Sequence, residues 1–185
     1  MNKHFCFTLW TMVGVAAAIT GNPAWAAHKL EPEAKEAIEL FKKADANLQK
    51  FFDEAKGYAV FPGVGKGAFG VGGAHGRGLV YQKEKDQGAA KLVGEASLSQ
   101  ITVGLQLGGQ SYAELIFFET DSALKDFKES RLAFSAQVGA VAAAEGASRN
   151  AKYQQGVAVF TLAKGGLMYE ASIGGQKFKF KPITE

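Results

Sequence analysis

Between residues 33 and 55, apolar side chains recur at spacings of three and four: Ala34, Ala37 and Ile38, Phe41, Ala44, Leu48, Phe51 and Phe52, then Ala55. Charges of both signs fill the gaps, among them Lys35, Glu36, Glu39, Lys42, Lys43, Asp45 and Glu54. One apolar stripe on a 3.6-residue period predicts an amphipathic helix. Pro32 suits its first turn and Gly57 its stop. A helix lying on a membrane has a polar face dominated by Lys and Arg. The mixed charge here favours a helix packed on a sheet, the alternative being a lid that turns Phe51 and Phe52 toward lipid.

The pattern then changes. An apolar run (Tyr58, Ala59, Val60, Phe61) enters Pro62-Gly63, and nine of the twenty-five residues from 57 to 81 are glycine. Val64, Phe69, Val71, Leu79 and Val80 interleave with them, which separates this stretch from a flexible Gly/Ser linker. It reads as β structure with tight turns, where backbones approach each other or a ligand closely. Ile101, Val103, Leu105 and Leu107 alternate with Thr102, Gly104, Gln106 and Gly108, which predicts a strand. A second apolar strand covers 112–118, and Gly108-Gly109 between them predicts an antiparallel hairpin. Asp121 or Thr120 caps a short helix, 122–129, that buries Leu124 and Phe127. The alanine-rich stretch 134–144 alternates as well and reads as a strand of small side chains.

Gly-Val-Ala-Val-Phe at 156–160 echoes Gly-Tyr-Ala-Val-Phe at 57–61, and each is followed by Lys-Gly, at 164–165 and 66–67. Two strand-turn-strand units around a pseudo-symmetric core are the expectation. At 177–181 lysine alternates with phenylalanine. This predicts a strand with Phe178 and Phe180 inward and Lys177, Lys179 and Lys181 in water, or a basic strand that meets anionic head groups. The whole is expected to be an α+β domain. Its core is an antiparallel β sandwich or partly closed barrel, with an N-terminal amphipathic helix and a short second helix packed on it.

The first twenty-six residues change the picture of location. Lys3, the apolar stretch 5–19 and Ala24-Trp25-Ala26 have the form of an export signal, too short to span a membrane as a helix. Residues 27–185 are then one domain, expected in the periplasm or outside, peripheral to the inner or outer membrane. The single cysteine, Cys6, lies in the signal, so the remainder has no thiol for a disulfide, a metal or a nucleophile. Losing Lys3 takes the net charge from +3 to +2. That is too mild to argue for nucleic acid, yet sufficient for anionic lipid where the charge is grouped.

Chemistry is sparse. Gly65, Gly67 and Gly70 spell GxGxxG, but the fingerprint needs a helix to follow, and VGGAHGRG is among the poorest helix sequences. Lys66 precedes Gly67 where a phosphate-binding loop requires Ser or Thr. His75 has no neighbouring His, Cys or carboxylate pair, so no metal or other cofactor is expected. No nucleophile-elbow motif is present, and none of Glu95, Glu114, Glu119 and Glu170 stands out as half of a catalytic pair. Enzyme activity is not expected.

The stretch GYAVFPGVGKGAFGVGGAHGRGLVY resembles the signature of the SYLF domain, as do VGLQLGGQSYAELIFF and VAVFTLAKGGLMYEASIGGQKF, in the same order. The resemblance covers residues 33 to 182. Eukaryotic members bind phosphoinositides and membranes, some yeast members bundle actin, and bacterial members with a signal peptide are described as lipid-binding envelope proteins. It implies non-catalytic binding of anionic phospholipid. Lys66, His75 and Arg77, with Lys177 and Lys179, would meet phosphate, assisted by glycine N–H groups. Phe69, or Phe51 and Phe52, would enter the acyl boundary. The alternative is a structural module that uses strand edges to pair with itself or with an envelope partner.

Overall fold

The structure is a computed structural model that describes residues 23–69, 71–84, 88–103, 108–131, 140–141, 147–163, 166–170 and 175–183. The apolar stretch 5–19, most of 134–144 and Lys164-Gly165 lie outside the described residues.

The helical stripe forms two helices rather than one. Helix α1 spans Pro23–Ala44 and helix α2 spans Gln49–Glu54, separated by a 3-10 turn at Ala46–Leu48. Asp45 causes the break: its backbone is extended (φ −152°) and its Oδ1 accepts from the N–H of Asn47 at 2.9 Å. A short carboxylate competing for backbone donors ends a helix and caps the next turn. The proline in the first turn is Pro23, whereas Pro32 lies inside α1, where its missing N–H leaves the carbonyl of residue 28 without its helical donor.

Eight strands follow: β1 Gly57–Phe69, β2 Val71–Lys83, β3 Ala90–Val103, β4 Gly108–Phe118, β5 Ala140–Val141, β6 Val157–Ala163, β7 Gly166–Glu170 and β8 Gln176–Pro182. They form one antiparallel sheet in the order β5-β7-β6-β4-β1-β2-β3-β8. The glycine-rich stretch is the long β1–β2 hairpin. It separates β3 from β4, so the hairpin expected between those two strands does not form. The spatial order β4-β1-β2-β3 is a Greek key. Between β1 and β6, β4 buries both its faces, and Leu115, Ile116, Phe117 and Phe118 are all fully buried. Helix α3, Asp121–Lys128, is capped by Thr120, whose Oγ1 accepts from the N–H of Ala123 at 3.1 Å, and it buries Leu124 and Phe127 as expected.

The architecture is α+β, and the sheet is open but strongly curled. Strands β4 and β8 are four places apart, about 19 Å in a flat sheet. Yet Gln176 Nε2 on β8 donates to Glu114 Oε2 on β4 at 3.1 Å. Likewise Phe61 on β1 and Phe178 on β8 have ring centroids 5.9 Å apart. The concave face holds Phe61, Val64, Leu98, Ile116, Phe118 and Phe178, closed at one end by Phe127 of α3. On the convex face Ala34, Ala37 and Phe41 of α1 and Phe51 and Phe52 of α2 cover Val60, Leu79, Leu115, Phe117 and Phe160.

Two local features make the curl feasible. At Pro62 the register of β1 shifts against both neighbours, so Phe61 and Val64 both point into the concavity. On β2, a Cβ at Gly78 would lie 2.5 Å from the Val60 carbonyl oxygen and 2.6 Å from the Phe61 ring. The concave side is closed too tightly there for any side chain.

The echo between 57–61 and 156–160 is not a symmetry of the core. Strands β1 and β6 both flank β4, but Tyr58 and Ala158 share the partner Phe117, so the matched segments are offset by one residue. A one-residue offset reverses the face of every side chain. Phe61 therefore fills the concave core and Phe160 the helix-side core.

Candidate functional site

Beyond the edge of the helical cover, the convex face of β2, β3 and β8 is exposed and polar. The registers place the residues in rows. Gly63, Arg77, Ser97 and Lys179 form one; Gly65, His75, Ser99 and Lys177 form the next. Leu79, Glu95 and Lys181 form a third on the side nearer the helices. His75, Arg77, Lys177, Lys179 and Lys181 are all exposed. The strict alternation of β8 creates half of this surface: Phe178 is buried, Phe180 is half-buried, and the three lysines point the other way.

Arg77 is held by one acid. Its Nη2 donates to Glu95 Oε2 at 3.1 Å, with Arg77 54% and Glu95 12% exposed. A guanidinium has five N–H donors, so this pairing leaves others facing solvent. The glycines of the face differ from those of the concavity, since a Cβ at Gly63 or Gly65 would meet nothing within 4 Å. Internal packing does not require them, and they leave the β1 end of both rows flat.

The structure thus brings four of the expected site residues together: His75, Arg77, Lys177 and Lys179. Lys66 does not join them. It pairs with Ala74, which is buried in the concave core, so Lys66 lies on the opposite face, half-buried. Phe51 and Phe52 require a correction. They are 1% and 8% exposed. Phe51 lies 5.1 Å from Phe160 and 5.4 Å from Tyr153, and Phe52 lies 4.8 Å from Phe117 and 5.1 Å from Tyr58, between ring centroids. Turning them toward lipid would empty the helix-side core. Phe69 ends β1 opposite Val71, and its side chain lies outside the described residues.

Sequence reasoning did not single out Ser97 and Ser99. Their signal is pairing with β2 and β8, which a strand pattern alone does not reveal. Of the acids in apolar strands, Glu114 is fully buried in the concavity against Gln176, and Glu95 lies beside Arg77. Among the described residues, no three His, Cys, Asp or Glu side chains gather as a metal site, and no helix is long and apolar enough to cross a membrane.

Residues 99–182, a little under half of the chain, match the family model of Ysc84, described as a Las17-binding protein actin regulator. That span includes two of the three motifs quoted above, and it runs from the second half of β3 to β8. The chain is also similar to beta cell expansion factor A of Aeromonas veronii. The two are 29% identical over 156 residues, covering 80% of this chain and 54% of the relative. The chain therefore spans about half the length of that curated relative. Residues 99–182 are thus similar to the Ysc84 (SYLF) domain, the family that the motifs of this chain resemble.

Proposed function

We propose that this protein binds anionic phospholipid without catalysis, docking the exposed face of β2, β3 and β8 on an envelope membrane. The observation that carries this reading is the register that sets Arg77, Lys177, Lys179 and Lys181 on one surface, with Glu95 as its only carboxylate in the three rows. Grouped cations near an anionic leaflet contribute about 1 kcal/mol each. A modest net charge is sufficient when it is concentrated in this way. Phe51 and Phe52 stay in the core, so in this reading electrostatics and hydrogen bonds to phosphate supply the attraction rather than those two rings.

The competing reading is edge-to-edge pairing with a second copy or an envelope partner. Within the described residues β8 is the outer strand next to β3, and its three exposed lysines are the device by which natural sheets discourage such pairing. Sedimentation with vesicles separates the two. Pelleting with anionic but not neutral vesicles, weakened by salt, supports lipid docking. Self-association without vesicle binding supports the edge.

A further inference from the structure

We infer that this face recognises a lipid head group carrying two phosphates, one on each of two adjacent rows; the inference rests on the lipid-binding reading above. In the first row Ser97 lies on the central strand, flanked across the pairs by Arg77 and Lys179. In the second, Ser99 is flanked by His75 and Lys177. Each row sets a hydroxyl between two nitrogen donors on neighbouring strands, about 5 Å to either side. A phosphate above either serine accepts from the hydroxyl and from both flanks. Arg77 offers a fork of N–H donors, each lysine an ammonium, and a neutral imidazole one N–H.

The spacing fixes the number and separation of phosphates. Successive rows lie two residues apart along the strands, about 7 Å. A three-carbon bridge between two phosphodiesters spans that distance. The row nearer the helices has Glu95 in the central place and buried Leu79 beside it, so it repels a third phosphate. At the opposite end of both rows, Gly63 and Gly65 present bare backbone, with open space where a Cβ would stand. The two rows are therefore open on the β1 side, where no side chain walls off a head group seated above the serines.

The test compares the protein on phosphatidylcholine vesicles carrying cardiolipin, with two phosphates bridged by glycerol, or phosphatidylglycerol, with one, matched for total phosphate charge. Binding to cardiolipin roughly tenfold tighter is expected, the worth of one added hydrogen bond to a charged group. The double variant Ser97→Ala, Ser99→Ala retains every charge, and its cardiolipin-to-phosphatidylglycerol ratio falls toward one. Equal affinity of the parent for the two vesicles overturns the two-phosphate site and leaves the electrostatic reading standing. So does a parent preference that the serine variant retains in full. Binding to neither vesicle overturns both.

Discussion

The carboxylate of Asp45 accepts from both the backbone N–H and the hydroxyl of Ser148, at 3.0 and 2.7 Å, across 103 residues of chain. Its other oxygen accepts from the N–H and Nδ2 of Asn47, at 2.9 and 2.7 Å. The break between α1 and α2 is thereby tied to the 3-10 turn at Ala147–Asn150. Burial alone would push this carboxyl up, but the hydrogen bonds from Ser148 and Asn47 outweigh it and hold it below the usual aspartate range. A group depressed in this way contributes stability that is present above the unfolded value, about 4, and lost as pH falls through the folded one. Urea unfolding midpoints will fall on acidification from about pH 4 downward, less steeply in Asp45→Asn. At neutral pH, Asp45→Ala will cost about 3 kcal/mol, because it leaves buried Ser148 donors unpaired and removes a cap.

Gly78→Ala and Gly63→Ala form a matched pair on the two faces of the hairpin. The first drives a methyl into the Val60 carbonyl and the Phe61 ring; the second meets open space. The expected loss for Gly78→Ala is more than about 2 kcal/mol, whereas Gly63→Ala stays within about 0.5 kcal/mol of the parent. Denaturant unfolding of both variants checks this. Equal effects would mean that the curl does not depend on the glycine of β2.

Removing Arg77 and Lys179 together will weaken binding to anionic vesicles by roughly tenfold or more, and will flatten its salt dependence. Lys66→Ala, on the opposite face, will leave binding as it is. Vesicle sedimentation over a salt series reads both, and a Lys66→Ala loss as large as that of the double variant would contradict the assignment of the face.

Glu95→Gln gives the opposite sign. It keeps the shape of the side chain but removes the acid that holds Arg77 and opposes Lys181 in register. Affinity for anionic vesicles will rise about fivefold, the worth of one unit of charge at such a surface. A fall in affinity would show that the ion pair presents Arg77 to the membrane rather than restraining it.

Local periodicity made much of this legible. The stripe of Ala34, Ala37 and Phe41, the cap at Thr120 and the alternation of Lys177 to Lys181 are each settled by neighbours within four residues. Faces and partners across the sheet were not. Whether Lys66 lies with His75 depends on hairpin register: Gly65 pairs His75 and Lys66 pairs Ala74. One residue more in the turn would have reversed that answer. The bulge at Pro62 changes parity again within β1, which is why Phe61 and Val64, an odd and an even position, share the concave core. The β3–β4 hairpin failed for a similar reason. Adjacent apolar strands with glycines between them resemble a hairpin unless an earlier, longer hairpin already occupies the space.

The last strand has a consequence for the order of events. Every rung between β3 and β8 joins residues 76 to 88 positions apart. Contacts so distant in the chain are costly to close and slow to form. The lysines of β8 therefore meet Arg77 and His75 on a common surface only when the last long-range pairing is complete. Before that, the same cations are scattered along an unpaired polymer and lack the spacing that a head group would recognise. Attachment to a membrane through this face would then report that the chain has finished folding, and a molecule whose final strand has come loose would be released.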